Sequence, residues 1–362
     1  MRRLWRTAID KVVPYPAGKP LEVLAADAGL PSLVRLSANE HPLGPSPRVI
    51  RAIADEARRV HLYPDGDASR LRAALATRLA VAPEQIIFGN GADELLALLG
   101  WAAFEPGDEV VVPHPSFEPY ATVVAIAGAD LSPSPLAGYD IDLDDMLRRV
   151  SERTKAVILC SPNNPTGTIV RRRPFGAFLR ALGPEPPLIV LDEAYRDFCD
   201  DPDGTDGVAL LPSAPTLLVM RTFSKIAGLA GARVGYAVAG AEVIDRMNRV
   251  RAPYNVNRLG QAAALAALED AEYWQATRRL VIEERERLAR ELARRGYPAP
   301  PSHANFLLVK VGAGADTIRD RLYRAGILVR DGQALGFPGH LRISVGAPEV
   351  NARLLRTLDA PR

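Results

Sequence analysis

The 362-residue chain reads as an α/β protein, with a large domain around a mostly parallel sheet and a smaller α+β domain at its C-terminal end. Three observations predict this. Short β-branched runs alternate with helical stretches over most of the chain. Several runs, VILC and LIVLD among them, are apolar on both faces, as strands covered by helices on both sides must be. After Asn257 the alternation gives way to a long helical stretch and two strand-like runs that bracket a helix.

In chain order, residues 1–35 are proline-rich and weakly patterned, which suits an arm lying on another part of the molecule. Strands are expected over 85–88, 109–112, 156–159, 188–192, 217–222 and 234–239, with helices between them over 68–79, 92–101 and 143–150. These fall in a large domain, 36–257. The stretch 259–295 reads as one long helix with many Arg/Glu pairs on its exposed face. Strands over 305–311 and 341–345 around a helix over 315–325 complete a small domain, 258–362.

Composition narrows the function. A formal charge of +2 with no basic tail gives no footprint for nucleic acid. Two cysteines, Cys160 and Cys199, are too few for a disulfide framework and lack metal-ligand spacing. The start carries no apolar run of a secretory signal, and no stretch reaches the ~18–20 apolar residues of a membrane span. The expectation is a cytoplasmic protein without a metal. Lysine is scarce: Lys11, Lys19, Lys155, Lys225 and Lys310 stand against many arginines.

Four segments fall at the carboxyl ends of expected strands, where open α/β sheets bind ligands. The first, Gly89-Asn90-Gly91-Ala92-Asp93-Glu94, opens a helix whose free N–H groups would face an anion such as a phosphate; an ordinary strand-to-helix turn would use the same residues. It is no dinucleotide fingerprint, since Glu94 stands where the last glycine belongs. The second, Ser161-Pro162-Asn163-Asn164-Pro165-Thr166-Gly167, directs an amide across the sheet edge. A structural turn explains its prolines and glycine but not the doubled asparagine. In the third, Asp192-Glu193-Ala194-Tyr195, a carboxylate ends a buried strand and needs a cation or strong donor, unless it caps a helix. The fourth is Arg221-Thr222-Phe223-Ser224-Lys225, followed by Arg233. It places a lysine among small residues, where desolvation would lower its pKa and make it nucleophilic; the alternative is a surface lysine in a loop.

One ligand unites the four. An aldehyde cofactor needs an amine (Lys225), an anion pocket (Gly91, Ala92, Asp93, Ser224, Arg233), a carboxylate for a pyridine nitrogen (Asp192) and donors for a phenolate oxygen (Asn164, Tyr195). Pyridoxal 5′-phosphate carries all four groups.

The motifs GNGADE, SPNNPTG, DEAY and RTFSKIAGLAGARVGY, in this order, resemble those of fold-type I pyridoxal-phosphate enzymes. Histidinol-phosphate aminotransferases are the most similar family. PYPAGKPLE, SANEHPLGPSP, YPDG, ANFLL, GILVR and LRISVG extend the resemblance over roughly residues 10 to 350. It implies a fold-type I transferase with a seven-stranded, mostly parallel sheet. It further implies Lys225 as Schiff-base lysine and proton carrier, Asp192 at the pyridinium, and Asn164 and Tyr195 at the phenolate. Phe117 would stack on the ring, and Tyr63 would reach the phosphate of a neighbouring subunit, so a homodimer with shared sites is implied. Arg342 and Arg330 would bind the anionic ends of substrates, Tyr15 and Tyr254 would close over them, and Asn305 would lie near them. The implied reaction transfers an amino group between histidinol phosphate and 2-oxoglutarate, giving L-glutamate. His41, Ala232, Ser161 and Gly66 depart from the family's usual residues, and His41 borders the substrate entrance. Aromatic amino acid aminotransferases and threonine-phosphate decarboxylases share the fold and are the nearest alternatives. A DNA-binding regulator on this fold lacks room for its extra domain ahead of residue 36, and a nicotinamide oxidoreductase lacks its glycine fingerprint.

Overall fold

The computed structural model describes residues 4–12 and 18–359. Its strands, in chain order, are β1 (Val34–Leu36), β2 (Ile86–Gly89), β3 (Glu109–His114), β4 (Asp130–Pro135), β5 (Thr154–Cys160), β6 (Leu188–Asp192), β7 (Leu217–Thr222), β8 (Gly235–Val238), β9 (Phe306–Lys310), β10 (Ile327–Asp331) and β11 (His340–Ser344). Seven of them form one sheet in the order β2-β8-β7-β6-β5-β3-β4, parallel except for β8, which runs against both β2 and β7. The other four form a small sheet, β1-β10-β11-β9.

Alternation of side chains explains why the large sheet is buried on both faces. Val111, Val157, Leu159, Ile189, Leu191, Leu217 and Val219 point into one apolar core. Their neighbours Val110, Val112, Ala156, Ile158, Val190, Leu218 and Met220 point into another. Each such valine, leucine, isoleucine or methionine side chain, at or near zero exposure, contributes roughly 1.5–3 kcal/mol by leaving water. The runs lack polar alternation because neither face meets solvent.

Several elements differ from the sequence reading. β4 was not expected; its sequence DLSPSP carries two prolines, which a strand tolerates at a sheet edge, and β4 is an edge. β1 and β10 were not expected as strands either, and they pair in parallel in the small sheet. The long helix over 259–295 is two helices, Arg258–Leu268 and Ala271–Arg294, because the Asp270 carboxylate caps the second by accepting from the Tyr273 N–H. The first of these, expected with the C-terminal domain, buries Ala263, Ala264, Ala266 and Ala267 in the large-sheet core. Among the described residues, no helix is long and apolar enough to cross a membrane.

The two sheets meet through a small cluster of Tyr195, Phe198, Ile226, Val281, Ala304, Phe306 and Val345. Tyr195 packs edge-on against Phe306, with ring centroids 5.0 Å apart. Beside it, the Arg285 guanidinium of the long helix donates to the Phe198 and Ala304 carbonyls and to the Asp200 carboxylate at 2.7 Å. His303 lies 2.7 Å from the other oxygen of Asp200.

Candidate active site

Along the carboxyl edge of the large sheet, the ends of β2, β7, β6 and β5 and the start of the reversed β8 converge on a cavity of about 260 Å³. Asp93, Arg233, Ser224, Lys225, Asp192, Asn164, Tyr195, Phe117 and Ala92 all line it. Of the sequence-predicted cofactor residues, only Gly91, which adjoins the cavity beside Arg233, and Tyr63 do not line it.

At the end of β2 the chain turns at Gly91, with φ +81°, and enters the helix Ala92–Ala103. A Cβ there would stand 2.3 Å from Nη2 of Arg233, so only glycine leaves room for the guanidinium. Arg233, itself at φ +55°, donates to the Asp93 carboxylate at 3.1 Å and to the Ala230 carbonyl. Helix N–H groups, a guanidinium and the Ser224 segment thus face one corner, a setting for a phosphate.

Asp192 ends β6 with 4% of its surface exposed. It accepts from the Tyr120 hydroxyl at 2.7 Å and from the Ala194 N–H at 2.9 Å. Burial raises its pKa, and these two donors offset that only in part. Two further donors are aimed by their partners. Nδ2 of Asn39 donates to the Tyr195 oxygen at 3.1 Å, which leaves the Tyr195 hydroxyl hydrogen to point elsewhere. Arg342 donates to Oδ1 of Asn164 at 2.6 Å, so the Asn164 amide turns its N–H groups the other way.

Lys225 donates weakly to the Ala38 carbonyl at 3.4 Å, and its Nζ lies 5.7 Å from the Tyr195 ring centre. Burial, and then the nearby Arg342 cation, lowers its pKa to about 8. A much larger fraction of this amine is therefore neutral near physiological pH than of an ordinary lysine.

A second chamber of about 700 Å³ shares Ala38, Phe117, Asn164, Tyr195 and Lys225 with the first and opens outward. Arg330 and Arg342 line it, from β10 and β11. Arg342 also donates to the Ser37 carbonyl at 2.7 Å and so ties the small sheet to the segment ahead of Asn39.

Other expected residues stand apart. Asn305 is fully buried behind the site, donating to the Asn39 carbonyl, and lines neither chamber. Tyr63 and Tyr254 stack on each other 4.8 Å apart on the surface, away from both chambers, and are 78% and 47% exposed. Tyr15 lies outside the described residues. His41 accepts from the Leu43 N–H and lies 3.1 Å from the Thr277 hydroxyl. Burial lowers its pKa to about 4, which keeps it neutral.

The sequence reading missed Asn39 and Tyr120. Asn39, at φ +55° and 1% exposed, binds Tyr195, Ser344 and Asn305 at once. The only available signal was its place in SANEHPLGPSP. Tyr120 lies in PSFEPY, and no pattern announces that its hydroxyl reaches the end of β6.

The residues fit a phosphate-bearing pyridine aldehyde. A glycine turn leaves room for a guanidinium, a partly neutral amine lines the cavity, and a buried carboxylate lines it too. This fold and this site define the pyridoxal 5′-phosphate-dependent transferases. Residues 31–358 match the family described as aminotransferase class I and II. The chain is 43% identical to a histidinol-phosphate aminotransferase of Symbiobacterium thermophilum over 98% of both chains. It is 37% identical to one of Caldicellulosiruptor saccharolyticus over 98% of this chain and 99% of that one. The crystal structure of the Sinorhizobium meliloti histidinol-phosphate aminotransferase in complex with pyridoxal 5′-phosphate superimposes with a TM-score of 0.90. That match has 32% identity and covers 99% of this chain and 97% of that one. The chain belongs to the aminotransferase class I and II family and is a pyridoxal-phosphate-dependent aminotransferase.

Proposed function

We propose that this aminotransferase acts on histidinol phosphate, moving an amino group between L-glutamate and imidazole-acetol phosphate in histidine biosynthesis. The observation that carries the reading is the arginine-lined outer chamber opening on the Lys225 amine, in a chain so similar to histidinol-phosphate aminotransferases. A carboxylate in one half-reaction and a phosphate in the other must share one anion site, and a planar guanidinium accepts either group with two parallel bonds.

When bound, pyridoxal 5′-phosphate supplies an aldehyde and an electron-withdrawing ring. The chain's residues divide the remaining work. Gly91, Ala92, Asp93, Ser224 and Arg233 would hold the phosphate, while Phe117 would lie against the ring. Asp192 would keep the ring nitrogen protonated, and the Asn164 and Tyr195 donors would meet the ring oxygen. Lys225 would hold the aldehyde at rest. Once released, its neutral amine would move a proton to and from the substrate carbon, for which a pKa near 8 suits better than one near 10.5. Arg342 and Arg330 would orient the anionic ends.

We further propose a cytoplasmic homodimer in which Tyr63 serves the partner's phosphate site. The exposed patch of Val60, Leu62, Tyr63 and Tyr254 supports that surface as an interface.

The test adds candidate donors one at a time to the yellow holoenzyme and follows the visible cofactor band. L-Glutamate and histidinol phosphate should each bleach it. Bleaching by phenylalanine or threonine phosphate but not by histidinol phosphate would sink the substrate assignment.

A further inference from the structure

One carboxylate on the outer chamber wall neither caps a helix nor forms a close ion pair. Glu118 stands just ahead of the helix Pro119–Ala127, yet its side chain makes no bond to that helix end. Its partner is Arg330, which reaches from β10 to 4.0 Å, the loose limit of an ion pair. Both remain partly exposed, at 42% and 29%. The other carboxylate on this wall, Asp331, is held at 3.2 Å by Arg319 and at 3.0 Å by the Gln333 N–H. Of the wall's other cations, Lys19 pairs with Asp27 at 2.8 Å and Arg35 with Glu40 at 3.0 Å. Among these pairs Glu118 and Arg330 stand farthest apart, and their pair spans from the large-sheet side to the small-sheet side.

We propose that Glu118 is a specificity-determining residue: it accepts a hydrogen bond from a ring N–H of the imidazole substrate, while Arg330 parts from it to take the second carboxylate of the dicarboxylate substrate. The proposal rests on, and deepens, the histidinol-phosphate reading. One chamber must receive two unlike ends in turn, an anion from glutamate and an N–H donor from imidazole. A wall of arginines alone would leave the imidazole N–H without an acceptor. A lone carboxylate would repel the second carboxylate of glutamate. An exposed pair held at such a distance separates at little cost, so each member is free to serve one substrate.

The test is steady-state kinetics of the Glu118→Gln and Glu118→Ala holoenzymes with L-glutamate and with histidinol phosphate. KM for histidinol phosphate should rise about tenfold, as expected for a lost charge-assisted hydrogen bond. KM for L-glutamate should fall, because Arg330 loses its competing partner. A merely structural role would move both values the same way, and parallel or unchanged values overturn the proposal. An unaltered enzyme without turnover of histidinol phosphate overturns the functional reading and this proposal with it. Turnover by the unaltered enzyme with parallel changes in the variants overturns the proposal alone.

Discussion

The chemistry of single residues here is set by what each can no longer do. Lys225 has lost water, so its folded pKa of about 8 lies below the unfolded value of 10.5. Between those values the unfolded chain binds the extra proton, so the cofactor-free protein gains stability from this group as pH rises from about 8 to about 10.5. Below pH 8 the charge is buried and the penalty is complete. Thermal unfolding of cofactor-free Lys225→Met from pH 7 to 10 should lack that rise. Arg342 is the second cause of the depression, and removing a cation raises a neighbouring lysine's pKa. Arg342→Gln should therefore shift the pH profile of cofactor capture, read from growth of the visible band, toward alkaline pH. Asp192 stores the opposite conflict, a carboxylate in a dry place. Asp192→Asn should raise the unfolding midpoint of the cofactor-free protein while lowering kcat by about 100-fold or more, a cost typical of a lost preorganised charge.

Four strands of the large sheet, β2, β5, β6 and β7, each lead into a segment that lines the candidate site, which is why those segments were legible in the sequence. Apolar runs marked β2, β5, β6 and β7, and at or past their ends stand Gly91, Asn164, Asp192 and Lys225; glycine, asparagine and aspartate are ordinary turn residues, so the doubled asparagine and the lysine carried the signal. The reversed β8 matters equally, since it starts beside Arg233 and brings that guanidinium back to the edge. The place of the Arg233 guanidinium beside the helix Ala92–Ala103 depends on the missing side chain at Gly91. Gly91→Ala should push Arg233 aside and weaken cofactor binding by about tenfold or more, measurable by titration of the band. What stayed hidden were elements without a periodic signal. β4 carries two prolines and is mostly exposed, and β1 is three residues long, so neither shows the apolar run that identifies a strand. The break at Asp270 was masked because helical sequence continues on both sides of one capping residue.

The whole molecule is two sheets clasped around a chamber. Contacts that join distant segments are the part that local pattern cannot reveal, and Asn39, Tyr120 and the Asp200–Arg285 pair all belong to it. Arg285 is 3% exposed, so Asp200→Ala would leave a buried cation with carbonyl partners alone. That should cost about 2 kcal/mol in urea unfolding, less than a fully enclosed pair because Asp200 is partly open to solvent. The edge of the large sheet also works as a ruler. Neighbouring strands stand roughly 4.8 Å apart, and Asp93, Arg233 and Ser224 stand at the tips of β2, β8 and β7, while Asp192 and Asn164 stand at those of β6 and β5. A guest must extend along that row to satisfy both groups. The strand spacing fixed by backbone hydrogen bonds would thus set the length of a molecule able to meet both groups at once.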